Sequence, residues 1–165
     1  MTAKIHIFVD NSRCEINGKS VGVTPLENDL RAAIPTEPTR EIDKRGEVDG
    51  IPFDRKSVLY DDLGLSFCYN VGDSKVVWLM ADFNRADWRQ ATEEDLGSNF
   101  EGVILIGRHT VNRTIRWSTY DDTVDATLQD ISIQAASCDS GMLSGITIGF
   151  PKNEEPKSNR VPGNG

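Results

Sequence analysis

The stretch SVLYDDLGLSFCYN, residues 57–70, sets DDLG between two apolar runs and leads through NVGD, residues 70–73, into KVVWLMADF, residues 75–83. Runs of strand length parted by turn residues read as hairpins, so residues 57–83 predict a meander of three antiparallel strands. In the third run Val77, Leu79, Ala81 and Phe83 alternate with Val76, Trp78, Met80 and Asp82, leaving both faces largely apolar. That pattern predicts a central or covered strand, with Trp78 in the core.

Toward the N-terminus, KIHIFV (4–9) alternates Ile5, Ile7 and Val9 against His6 and Phe8, a strand with His6 on its more polar face. CEI then meets Asn17-Gly18, the strongest short hairpin signal, and KSVGV returns. In TPLENDLRAAI (24–34), Thr24 reads as a helix cap, Pro25 as the first helical residue and Glu27 as the closing member of a capping box, with Pro35 as the stop. Residues 35–56, PTEPTREIDKRGEVDGIPFDRK, carry three prolines, two glycines and nearly balanced charge, and read as a long exposed loop with short extended pieces.

Toward the C-terminus, RADWRQATEEDLGSN (85–99) reads as a connector with a helical turn around 92–96. FEGVILIG (100–107) reads as a strand with TVNRTIRW (110–117) pairing back. DATLQDISIQAAS (125–137) and MLSGITIGF (142–150) read as a final hairpin around residues 138–141, with Ile131, Ile133, Ile146, Ile148 and Phe150 in period two; a helix over 121–128 competes for its start. The tail, residues 151–165, reads as disordered. The expected class is α+β, mainly antiparallel β-sheet with one or two packed helices, in one domain over residues 1–150. ING near residue 16 is echoed by IG near 106, YDD at 60 by YDD at 120, and Phe83 by Phe150, at offsets of 90, 60 and 67. Two readings stand: a pseudo-repeat of 1–85 and 98–150 forming two related lobes with a large deletion, or convergent hairpin wording.

Composition narrows the function. The 165 residues carry a net charge of −8, which argues against nucleic acid as the main ligand, since phosphate binding needs a cationic footprint. No run of about 18 apolar residues predicts a membrane span. Asp10 and Asn11 interrupt the start where a signal peptide would stay apolar. Cys14, Cys68 and Cys138 are widely spaced and form no CxxC, which fits reduced thiols and a cytoplasmic setting. From Trp117 to Pro151 there are five aspartates (121, 122, 125, 130, 139) and no Lys or Arg, whereas RHTVNRTIR just before it has three arginines and no acid. Such an acidic segment is either a solvated face or a surface that engages a basic partner.

The repeated YDD raises the question of a divided acidic site. Asp61 and Asp62 are neighbours on the chain, so their side chains diverge, and no DxDxDG, HExxH or paired-histidine motif accompanies them. DDLG reads as a tight turn with aspartate accepting backbone amides and Gly64 at positive φ. His6 and His109 stand in no nucleophile motif, GxSxG is absent, and GDSK and GKSVG lack the spacing of a phosphate loop. The expectation is therefore no enzyme, no cofactor and no metal. Trp88, beside Arg85 and Arg89, and Trp117, beside Arg116, read either as interface anchors or as residues partly buried under loops.

CEINGKSVGV (14–23), TPLENDLRAAI, YDDLGLSFCY (60–69) and VVWLMADF (76–83), followed by FEGVILIG and GMLSGITIGF, together resemble a family of small bacterial proteins marked by an ING hairpin and a W/Y-D-D-L-G motif. The resemblance spans residues 4–150, with Tyr60 where tryptophan is common in that family. Its members look like companions of polymorphic toxins and secreted antibacterial effectors, which implies an immunity protein that occludes a cognate toxin by direct contact. Carried onto this chain, the candidate toxin contacts are Trp117, Asp121, Asp122 and Asp125, with Asp61 and Asp62 behind them. Two alternatives stay open: an enzyme that reverses the toxin's damage, and an adaptor or structural module of a secretion apparatus.

Overall fold

The computed structural model describes residues 5–10, 13–83, 100–107, 109–111, 131–137 and 143–150. The chain is mostly antiparallel β-sheet in two sheets, with one short helix among the described residues. In chain order the elements are β1 (His6–Asp10), β2 (Arg13–Ile16), β3 (Lys19–Ser20), α1 (Glu27–Ala33), β4 (Arg40–Val48), β5 (Ile51–Tyr60), β6 (Leu65–Asn70), β7 (Val76–Asp82), β8 (Val103–Ile106), β9 (His109–Val111), β10 (Ser132–Ser137) and β11 (Leu143–Gly149). The five-stranded sheet runs β3-β2-β1-β8-β9 and the six-stranded sheet β10-β11-β7-β6-β5-β4. Each sheet draws strands from both sides of residue 84, and the parallel pair β1–β8 joins the early and late segments of the first sheet. No helix among the described residues is long and apolar enough to cross a membrane.

Period-two patterning decides which residues meet. Ile5, Ile7, Val9, Ile16, Ile104 and Ile106 line the inner face of the five-stranded sheet, with His6 exposed on the other side as its alternation requires. Val58, Phe67, Leu79, Ile148 and Ile133 stand opposite one another across five strands of the second sheet and join the same core. Each such side chain contributes roughly 1.5–3 kcal/mol when fully buried. The 57–83 meander, the Asn17-Gly18 hairpin and the final hairpin all form as their spacing predicts.

Three expectations are corrected. Trp78 is half-buried and lies outside the core, because its register with Cys68 and Gly149 turns it to the face opposite Leu79. The helix starts two residues later than Thr24-Pro25 implies. Pro25 O accepts from Val76 N at 2.9 Å and Leu26 forms a β-bridge with Lys75, so this segment is held extended against the start of β7. Leu26 is the N-cap, and its amide donates to Asp29 Oδ2 at 2.9 Å, which places the acid of the first turn at Asp29. Arg31 Nε then reaches back to Glu27 Oε2 at 2.9 Å, one turn away, and Leu30 and Ala33 are buried.

The third correction concerns residues 35–56, which are no loop. They form most of the β4–β5 hairpin, paired from Arg40↔Leu59 to Val48↔Ile51. Asp49 and Gly50 turn it with φ of +54° and +79°, the doubly positive geometry of the favoured two-residue hairpin turn. The connector 85–99, the segment 112–130, the turn at Cys138 and the tail lie outside the described residues.

Candidate functional site

DDLG forms the β5–β6 turn, with Leu63 N donating to Tyr60 O at 3.0 Å and Gly64 at φ +65°. Asp61 differs from a simple turn acid in where its carboxylate goes. It accepts from Arg40 Nε at 2.8 Å and from Arg40 Nη2 at 3.0 Å. The Thr39 hydroxyl accepts the Asp61 amide at 2.8 Å, and its single proton has Asp61 Oδ2 at 2.7 Å and Leu59 O at 2.9 Å within reach. Asp61 thus fastens the start of β4 to the turn, while Asp62 is exposed. Trp117, Asp121, Asp122 and Asp125 lie outside the described residues, so the structure does not bring them together with Asp61 and Asp62. Among the described residues, no three His, Cys, Asp or Glu side chains are grouped to hold a metal ion.

The β4–β5 hairpin supplies the feature that sequence reasoning missed. β6 pairs with β5 only from Arg55 to Tyr60, so the four pairs Arg45↔Asp54, Gly46↔Phe53, Glu47↔Pro52 and Val48↔Ile51 project past the six-stranded sheet as a two-stranded arm. Val71 N donates to Asp54 O at 2.9 Å and anchors the arm's root. At the tip Val48 and Ile51 are 60% and 47% exposed, an apolar pair presented to water. Behind them the Phe53 ring lies over Gly46, where a Cβ would stand 3.1 Å from it, and the Arg55 guanidinium stacks 5.1 Å from the ring centroid. Arg55 Nε also donates to Asn70 Oδ1 at 3.1 Å, which orients the stack from β6.

The other face of the same hairpin is charged. Arg45 and Asp54 stand opposite each other at 3.3 Å, as do Lys56 and Asp43 at 3.7 Å. Lys56 also lies 3.9 Å from Glu41, and Glu41 accepts from Arg31 Nη1 at 3.2 Å, tying the in-sheet end of the hairpin to the helix. Burial works against the Arg31 charge, yet its bonds to Glu41, Glu27 and Tyr69 hold the guanidinium above its usual range. The signal for this arm was Asp49-Gly50 between two polar runs.

A second concave feature lies on the outer face of the five-stranded sheet. Phe8 faces Glu15 and Leu105, His6 faces Val103, and Leu105 faces Thr110, framing an open groove of about 270 Å³. Arg13 stacks 4.5 Å from the Phe8 centroid and its Nε lies 3.5 Å from Glu15. His6 and Glu15 both line the groove. Cys14 sits beneath it, fully buried, its thiol pushed up to about 12 by burial first and Glu15 second, so it is no nucleophile.

Comparison of the chain with protein-family models, with curated proteins and with solved structures finds no match.

Proposed function

We propose that this chain is an immunity-type protein that meets a cognate bacterial toxin in the cytoplasm and neutralises it by occlusion, without catalysis. The observation that supports this reading most is the β4–β5 arm. A two-stranded ribbon with solvent on both faces adds nothing to a core and is marginally stable by itself. Ending it in an exposed apolar pair has a physical use when a partner covers that pair. The carboxylate Asp61, by contrast, is spent on an internal clasp with Arg40.

The test is co-expression with the neighbouring gene's product as the candidate toxin, scoring survival and complex formation across one set of variants. The occlusion reading expects protection to track binding. Protection that is lost in a single-carboxylate variant that still binds, or kept in a variant that no longer binds, would favour an enzyme that repairs the toxin's damage.

A further inference from the structure

We infer that the β4–β5 arm docks as a wedge between two unlike walls of the toxin, one apolar and one cationic. The inference rests on the immunity reading above and names the partner surface that reading leaves open. Cross-strand partners share a face, so the register sorts the arm's side chains into two sets. Val48, Ile51 and Phe53 fall on one face, with the Arg55 guanidinium stacked on the Phe53 ring. Glu47, Arg45 and Asp54 fall on the other, and Asp49 crowns the turn.

Charge selects the second wall. Residues 45–54 hold Glu47, Asp49 and Asp54 against Arg45 alone, a net of −2. Arg45 is already engaged by Asp54, and Glu47 lies opposite Pro52, which offers it no counter-charge. A cationic surface completes that face. The first wall follows from the apolar pair and from the aromatic–arginine stack, residue types that concentrate binding energy at interfaces. Four pairs at about 3.3 Å per residue project roughly 13 Å, far enough for a cleft to reach both faces of the arm at once.

The experiment uses the full chain and an inactive form of the neighbouring gene's product, purified as the candidate toxin. Val48→Asp with Ile51→Asp tests the apolar wall, and Glu47→Lys with Asp49→Lys tests the cationic one. All four side chains are exposed, so unchanged melting temperatures check the fold of both variants. The wedge predicts a loss of affinity of roughly 30-fold or more for the tip pair at every salt concentration. For the charge pair it predicts a loss that shrinks as salt is raised. It also predicts that the amides of residues 43–54 are protected from hydrogen exchange in the complex. Wild-type affinity in both variants, or unprotected arm amides in a formed complex, overturns the wedge and leaves the immunity reading standing. No complex with the wild-type chain overturns both. Self-association that the tip variant abolishes without changing toxin affinity makes a second copy the occupant, and overturns the wedge as well.

Discussion

Arg40 and Asp61 form a two-pronged ion pair at the end of the β4–β5 hairpin opposite the arm, with Nε on Oδ2 at 2.8 Å and Nη2 on Oδ1 at 3.0 Å. The pair joins the first residue of β4 to the turn that closes β5, and Thr39 bonds to the same carboxylate. Its geometry is the planar fork that arginine makes best with carboxylate.

Asp61→Ala therefore removes three acceptor contacts at once and should lower unfolding stability by about 1–2 kcal/mol. The Arg40 side chain is 38% exposed, so Arg40→Ala should cost less, about 0.5–1 kcal/mol after solvent screening. Urea unfolding of both variants and of the double variant checks this. An Asp61→Ala protein as stable as wild type would remove the clasp from the account.

Gly102→Ala should be among the most damaging single-methyl changes. A Cβ there would run into the carbonyl oxygen of Ile5 and stand 2.6 Å from the Phe100 ring, at the place where β8 enters beside β1. Backbone cannot yield as a flexible side chain can, so the expected loss is roughly 3 kcal/mol with poor soluble yield. Thermal unfolding beside Gly72→Ala, where a Cβ meets nothing within 4 Å, is the control.

Gly50→Val should separate arm from body. A β-branched residue at φ +79° is strained by about 1–2 kcal/mol, and that strain falls on the isolated ribbon. The expected result is faster amide exchange at residues 45–54 with a nearly unchanged global melting temperature. A cooperative drop of the whole protein would show that the arm is part of the core unit.

Alkaline pH should weaken the fold. Burial, with Glu15 second, pushes Cys14 from 9.0 up to about 12. Burial pushes Tyr60 from 10.0 up to about 12, Arg31 pulling against it and Glu37 and Glu41 adding to it. In both, the folded state holds its proton longer than the unfolded chain, so the stabilisation is intact below the unfolded value and is lost as pH rises toward the folded one. Stability should then fall between about pH 9 and about pH 12. Among the described residues the buried Tyr60 hydroxyl has no hydrogen-bond partner, so Tyr60→Phe should flatten part of that fall and raise stability near neutral pH by about 1 kcal/mol. Urea midpoints at about pH 8 and about pH 10.5 decide it; a Tyr60→Phe protein with the wild-type slope and lower stability would contradict it.

The core strands were legible because their residues alternate toward a buried face. Val58, Phe67 and Leu79 are recognisable from spacing alone. β4 was not, because REIDKRGEV has Ile42 and Val48 as its only large apolar residues and is held by pairing to β5 rather than by burial. Composition pointed to a loop, and the Asp49-Gly50 turn was the one contrary word. The parallel pair β1–β8 was equally hidden, since nothing local to His6–Asp10 names a partner nearly a hundred residues away. Trp78 misled for a different reason: an apolar face marks what can be covered, and register decides which face the core takes. Of the candidate contacts, Asp61 is placed in a structural clasp and Asp62 on the surface, whereas the arm's Val48 and Ile51 carried no sequence signal beyond their turn.

The most direct measurement is a calorimetric titration of the neighbouring gene's product, purified in an inactive form, into this protein at about 50 mM and about 500 mM salt. The account predicts a stoichiometric complex of nanomolar affinity that weakens with salt and keeps a salt-independent part set by Val48 and Ile51. No binding at either salt concentration, in cells that the protein nonetheless protects, would contradict occlusion.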